Sequence, residues 1–127
     1  MLQEMLKSAM DHDRAPVVIC DLDHTIVYMN PAAVQMYQKY GGAQLLGKSL
    51  FGCHNPQSKE RIEQVVRWFS ENRGNNMIFI LRDNKENKDV YMVALRNAAG
   101  ELIGYYEKHE HRNPETAQSY DFSKSLV

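Results

Sequence analysis

Cysteine is scarce in this chain, and long apolar segments are missing. Cys20 and Cys53 are the only cysteines, and their spacing matches neither a zinc site nor a disulfide framework, which favours a reducing, cytoplasmic compartment. No apolar run approaches the roughly 18 residues of a membrane span. Residues 1–14 lack the basic start and apolar core of a signal peptide. We therefore expect neither a metal site nor a membrane partner.

An excess of basic charge is also missing, because 15 basic residues are balanced by 16 acidic residues. Domains that bind nucleic acids commonly carry a basic patch, so we expect no nucleic-acid partner. The length of 127 residues suits a single domain. Folding of such a chain buries roughly two-thirds of its surface, which is enough for an ordinary core without metal or disulfide support.

The beginning of the chain predicts a helix followed by a β-hairpin. Apolar residues recur at helical spacing from Met1 to Met10, and Pro16 ends this amphipathic pattern. Residues 17–20 and 25–29 are rich in strand-forming side chains and are separated by a short polar segment. Two such runs joined in this way are typical of a hairpin.

Helices and three further strands are predicted after the hairpin. Asn30 is a good N-cap and Pro31 suits the first helical position, in a helix that directs Tyr37 inward. Ser58 is expected to cap a longer helix, whose apolar face consists of Ile62, Val65, Val66 and Phe69. The strands are predicted over residues 76–82, 90–96 and 102–109. Their short connections require antiparallel pairing, so the expected fold class is α+β.

The segment 21–25, Asp-Leu-Asp-His-Thr, offers a catalytic interpretation. After an apolar strand it resembles the aspartate loop of haloacid-dehalogenase-type phosphatases, in which the first aspartate attacks phosphorus and the second handles the leaving-group proton. By this resemblance Asp21 and Asp23 would serve a small phosphatase. That family requires strands and helices that alternate around a parallel sheet, and the predicted element order does not supply them. Asp and His are also ordinary turn residues.

Three segments in order resemble the PAS family over residues 15–110. They are Asp-His-Thr-Ile-Val-Tyr-Met-Asn-Pro-Ala-Ala at 23–33, Leu-Leu-Gly-Lys-Ser at 45–49 and Ala-Gly-Glu-Leu-Ile-Gly at 99–104. The resemblance implies a five-stranded antiparallel sheet with helices on one face, enclosing a small pocket. The expected organisation is an N-terminal amphipathic helix in residues 1–14, a PAS-like domain in residues 15–110 and a polar tail in residues 111–127.

The function implied by this resemblance is non-catalytic. PAS domains bind haem, flavins, organic acids or no ligand, and often dimerise. We therefore expect a small-molecule-sensing or ligand-binding module, with a ligand-free interaction module packed by Tyr37, Phe69 and Met92 as the alternative. Flavin is disfavoured, because Leu50 stands where the flavin-binding branch of the family has its reactive cysteine.

Cys53 and His54 form the most distinctive polar pair of the sequence. With Asn55 and Pro56 they resemble a Cys-His-x-Pro segment found in one branch of PAS domains. A neutral imidazole or a thiolate can ligate haem iron or a soft metal, so haem and small organic ligands are both candidates. The alternative is that His54 and Asn55 cap the loop and the helix while Cys53 is a small buried residue.

The last strand supplies three further candidate contacts. Strand geometry places Tyr105, Glu107 and His109 on one face. By the PAS resemblance this face looks into the pocket, where these residues would join Tyr37, Cys53 and His54 as ligand-binding residues. The competing interpretation is that they lie on a solvated sheet end.

The sheet is predicted to have a second covered face. Residues 77–81 and 90–95 are apolar at successive positions, whereas a sheet with one wet face alternates between apolar and polar residues. Leaving such a face in water is costly at roughly 25 cal/mol per Å². We therefore expect a homodimer formed by the helix from Met1 to Met10 and the outer sheet face, unless that helix folds back on its own subunit.

Overall fold

The structure, a computed structural model, describes residues 1–123. Three helices and five strands are present in this range: α1 (Leu2–Asp11), β1 (Val18–Cys20), β2 (Ile26–Met29), α2 (Pro31–Met36), α3 (Pro56–Glu71), β3 (Met77–Asp83), β4 (Lys88–Arg96) and β5 (Leu102–His111). Short 3-10 turns connect α2 to α3. Residues 124–127, the end of the predicted tail, lie outside the described residues.

The five strands form one sheet in the order β2-β1-β5-β4-β3, and every pairing in it is antiparallel. The α+β class and the five-stranded antiparallel sheet are thereby confirmed. The phosphatase interpretation required a parallel sheet, which residues 1–123 do not form. Oδ1 of Asp21 instead accepts hydrogen bonds from the backbone N–H groups of Asp23 and Thr25, both at 3.0 Å, so the segment is a hairpin turn.

Both α2 and α3 begin with the same local device, an asparagine followed by proline. Asn30 Oδ1 accepts from the N–H of Ala33 at 2.9 Å, and Asn55 Oδ1 accepts from the N–H of Ser58 at 2.8 Å. The prediction that Ser58 caps the longer helix was wrong by one turn, because the carboxamide of Asn55 satisfies the first N–H groups earlier. The buried face of α3 consists of Ile62, Val65 and Phe69, as the apolar spacing predicted.

The core lies between α3 and the inner face of the sheet. Its largest fully buried side chains include Phe69, Ile26 and Met92. Gly104 brings the central strands together, because a Cβ atom there would lie 2.5 Å from the carbonyl oxygen of Cys20. No larger residue allows β5 to approach β1 this closely without a shift of backbone.

Among the described residues, hydrogen bonds attach helix α1 to the domain at its C-terminal end. Nδ2 of Asn30 lies 3.0 Å from the carbonyl oxygen of Met10, and the hydroxyl of Tyr28 donates to Asp11 at 2.5 Å. None of the residues of α1 is buried, so the helix does not fold back onto the sheet of its own subunit. Within residues 1–123, no helix is both long enough and apolar enough to cross a membrane.

Candidate functional site

A cavity of about 230 Å³ lies between α3 and the inner face of β3, β4 and β5. Its apolar walls are formed by Ile62, Ile80, Leu81, Val90 and Met92. Its polar lining consists of Tyr37, His54, Ser58, Arg61, Asp83, Lys88, Glu107 and His109. An apolar cleft with a small number of convergent polar groups is the usual form of a small-molecule site.

The inner face of β5 supplies two of the polar groups. Glu107 is paired with Met92 across the sheet and His109 with Val90, which directs both side chains toward the cavity. Tyr105 lies on the same face but lines a smaller space of about 10 Å³, together with Glu107. Glu107 therefore lies where the two cavities adjoin.

Burial disfavours the charged forms of two polar groups on this face. Burial raises the pKa of Glu107, and this effect outweighs the opposite influence of His54, Lys88 and Arg61 on that pKa. Burial also lowers the pKa of His109 to about 4. Nδ1 of His109 is buried and has no hydrogen-bond partner among residues 1–123. The carboxyl of Glu107 likewise forms no hydrogen bond with a described residue. Since buried polar groups are nearly always paired, this end of the cavity has unused hydrogen-bonding capacity.

His54 is held by the turn that precedes α3. Its Nδ1 lies 3.0 Å from the carbonyl oxygen of Leu50, and a carbonyl can only accept, so Nδ1 carries a hydrogen. In the uncharged ring this leaves Nε2 with a free lone pair. His54 thus combines the capping role with a position on the cavity wall.

Cys53 does not line the cavity. Its thiol donates to the carbonyl oxygen of Leu50 at 3.2 Å, and burial raises its pKa, which favours the thiol over the thiolate. Of the six residues proposed from the sequence, the larger cavity therefore brings together four, namely Tyr37, His54, Glu107 and His109. That these residues bind a ligand stays a prediction.

Comparison with known proteins agrees with this architecture. The family model described as PAS domain matches residues 14–107. The chain belongs to the PAS family. No curated protein matches it.

Solved structures show the same fold at low sequence identity. The PAS domain of a Colwellia psychrerythraea protein is 18% identical with a TM-score of 0.64, over 88% of this chain and 98% of that one. The Aer2 receptor of Vibrio cholerae, described as a dual PAS-heme oxygen sensor, is 19% identical with a TM-score of 0.50, over 75% and 91%. The VqmA dimer of Vibrio cholerae is 14% identical with a TM-score of 0.61, over 87% and 52%.

Two cationic residues line the cavity of this PAS domain but were not predicted from the sequence. Lys88 is only 5% exposed, and its ammonium pairs with Glu86 at 2.7 Å. Arg61 is exposed and forms no ion pair with any described residue. The sequence contained a signal for Lys88, because positions 88, 90 and 92 share one strand face, but the strand was predicted to start two residues later.

Haem does not suit the cavity of this PAS domain. Pockets for drug-sized ligands measure roughly 300–1,000 Å³, and a haem is larger than most such molecules, whereas this cavity measures about 230 Å³. The cavity suits a small organic molecule better.

Proposed function

We propose that this PAS domain is a non-catalytic sensor module that binds a small organic molecule between α3 and the sheet. The observation that carries the proposal is the carboxyl of Glu107, which lines the cavity and has no hydrogen-bond partner among the described residues. Nδ1 of His109, in the same lining, is buried without a partner among residues 1–123, and such a group costs about 1–3 kcal/mol. A ligand that bonded both Glu107 and His109 would remove that cost and couple its binding to the stability of the domain.

The geometry around Glu107 supports a binding site rather than a packing defect. Apolar walls and polar groups from α3, β3, β4 and β5 converge on one space, so a ligand would contact four elements at once. Such contacts would change how α3 sits on the sheet, and this is a physical route from binding to signalling. The Aer2 receptor, which has a related fold, is described as an oxygen sensor.

A cavity-filling substitution tests this function. Val90 is buried and lines the cavity, so we expect Val90→Trp to fill it, whereas Val27→Trp places the same side chain on an exposed part of β2. Native mass spectrometry of the purified protein, before and after incubation with a metabolite extract, should show a bound small molecule in the native chain and in Val27→Trp but not in Val90→Trp. A native chain that shows no bound mass under either condition would support the ligand-free interaction module instead.

We also propose that the domain works as a homodimer. Leu2, Met5 and Leu6 form one stripe of α1 and are 67%, 58% and 59% exposed. Phe79 and Ile103 on the sheet are each 54% exposed. Exposed apolar patches of this kind mark interaction sites, and a second copy offers the same two surfaces in reciprocal positions. The VqmA structure, similar in fold, is described as a dimer.

The dimer is tested by light scattering after size-exclusion chromatography. We expect twice the chain mass for the native protein and a single chain mass for Met5→Glu combined with Leu6→Glu. Leu46→Glu is the matched control, since Leu46 is 47% exposed but lies outside α1 and the sheet. A monomeric mass for the native protein at micromolar concentration would refute the dimer.

We place this sensor in the cytoplasm. Cys20 and Cys53 are both free thiols, and free thiols are typical of reducing compartments. Expression of a tagged full-length gene followed by fractionation of the cells tests this placement. Recovery of the protein in an extracytoplasmic fraction would contradict it.

A further inference from the structure

We propose that the cavity selects an uncharged ring compound that carries a hydrogen-bond donor and an acceptor side by side, as in a primary amide or a lactam. This inference rests on the proposed sensing function and specifies its ligand class. It is carried by the size of the cavity, by the unpartnered carboxyl of Glu107 and by the charges that surround it.

The size of the cavity limits the ligand to a single ring with one substituent. An apolar cavity of about 150 Å³ accommodates benzene, which corresponds to about 25 Å³ for each heavy atom. The cavity of about 230 Å³ therefore holds roughly nine heavy atoms at the same density. Ile62 and Met92 line both the larger and the smaller cavity, and they give a flat ring apolar walls on the way to Glu107.

The carboxyl of Glu107 determines which substituent is recognised. Its pKa is raised by burial, and a protonated carboxyl presents an O–H donor and a carbonyl acceptor from one planar group. A primary amide or lactam presents the complementary pair, an acceptor and a donor on adjacent atoms. Two parallel hydrogen bonds then satisfy both partners without moving a charge into the interior.

The charges around the cavity favour neither kind of ion. Lys88 is already paired with Glu86 at 2.7 Å, and the remaining charges in the lining are the positive Arg61 and the negative Asp83. A cation or an anion that enters therefore meets one side chain of like charge. It must also lose its hydration beside Glu107 and His109, whose charged forms burial disfavours, and that desolvation is costly. An uncharged polar group avoids both penalties.

Three probes with the same ring separate these cases: benzamide, benzoate and benzylammonium. Each is titrated at pH 7 into the full chain, with amide chemical shifts in ¹H–¹⁵N spectra as the readout. We expect benzamide to bind at least about tenfold more tightly than either ion, because the loss of one hydrogen bond lowers an affinity by about this factor. We expect the largest shifts at β5 and at the start of α3.

Substitutions of Glu107 add a readout that packing alone does not produce. Glu107→Gln keeps a donor and an acceptor in one planar group, so it should retain most of the benzamide affinity, whereas Glu107→Leu should lose about tenfold. Tyr106→Phe, on the opposite face of β5, should bind as the native chain does. If Glu107→Leu does not fold, the comparison of Glu107→Gln with the native chain still tests the ligand class. A loss of benzamide affinity in Glu107→Gln would show that an ionised carboxylate is required, and this would overturn the proposal.

The outcomes distinguish the ligand class from the sensing function. Benzoate or benzylammonium that binds as tightly as benzamide would overturn the ligand class and leave the sensing function intact. When none of the probes binds but native mass spectrometry shows a co-purified molecule, the charge of that molecule decides: an uncharged molecule supports the class and an ion overturns it. Absence of both probe binding and a co-purified molecule would overturn the ligand class together with the sensing function.

Discussion

The phenolic oxygen of Tyr105 lies 2.7 Å from Nδ1 of His24, and this contact joins the central strand of the sheet to the turn between β1 and β2. His24 has a φ of 64°, in the left-handed region, and its ring centroid lies 4.4 Å from that of Phe51. Tyr105 also borders the small cavity next to Glu107. The inner end of the proposed site is therefore connected to the hairpin turn at the surface.

Removal of the Tyr105 hydroxyl should weaken the fold without changing its shape. We expect Tyr105→Phe to lower the free energy of unfolding by about 1 kcal/mol, because His24 loses its partner in a partly buried position. Urea denaturation followed by circular dichroism measures the change. Tyr106→Phe removes the same atom from the other face of β5 and should stay within about 0.5 kcal/mol of the native chain. Equal effects of the two substitutions would contradict the role given to the hydroxyl.

Gly104 should tolerate no side chain. A Cβ atom at this position would lie 2.5 Å from the carbonyl oxygen of Cys20, so β1 and β5 would have to separate. We expect Gly104→Ala to cost about 1–3 kcal/mol of stability, as measured by thermal or urea unfolding. Gly52→Ala serves as the control, because nothing lies within 4 Å of a Cβ atom built there. A native-like stability of Gly104→Ala would show that the strands can separate freely.

Asn30 and Asn55 should differ in importance although both are N-caps before proline. Asn55 is exposed, and its replacement by alanine should cost about 1 kcal/mol, the usual value of a cap. Asn30 is 0% exposed, also accepts from the N–H of Val17 at 2.9 Å, and faces the carbonyl oxygen of Met10 with Nδ2. We therefore expect Asn30→Ala to cost about 3 kcal/mol, the cap together with buried groups left unpaired.

Hydrogen exchange separates the two roles of Asn30. Asn30→Asp keeps the acceptor that caps α2 but replaces the Nδ2 donor with an oxygen. We expect the amides of Leu2–Asp11 to exchange faster in Asn30→Asp, because the end of α1 loses its attachment to the domain. If amide exchange in α1 is unchanged, and Asn30→Asp lowers the free energy of unfolding by no more than the usual value of a cap, then the role of Asn30 is limited to capping α2.

His109 should make the domain less stable as the pH falls below neutrality. Its pKa is about 4 in the folded chain, whereas an unperturbed histidine has a pKa near 6.5. Between these values the unfolded chain binds a proton that the folded chain does not. The stabilisation is therefore complete above about pH 6.5 and is lost progressively toward pH 4, with a loss of about 1–2 kcal/mol between pH 7 and pH 5. The raised pKa of Glu107 acts in the opposite direction.

A variant isolates the contribution of His109 from that of Glu107. We expect His109→Gln to lose about 1–2 kcal/mol less stability than the native chain between pH 7 and pH 5, as measured by urea denaturation at both pH values. His12→Gln, at an exposed position after α1, should follow the native chain. Parallel pH profiles for His109→Gln and the native chain would show that the ring is not held uncharged.

Local patterns in the sequence determined the architecture and part of the site. Asn30 and Pro31 predicted the start of α2, since an N-cap bonds a backbone N–H group within three residues and can be recognised locally. Strand alternation was sufficient to place Glu107 and His109 on the inner face of β5, because successive side chains point to opposite sides. The order of the elements and their short connections excluded a parallel sheet, and the structure confirmed the antiparallel one.

Only the tertiary structure decided which of these groups meet. Lys88 and Arg61 reach the same cavity as Glu107 from β4 and α3, and no periodicity relates positions so far apart in the chain. The bond between His24 and Tyr105 spans 81 positions for the same reason. Cys53 and His54 are adjacent in sequence, yet only His54 lines the cavity, because the rotation of the turn before α3 depends on how the helix packs against the sheet.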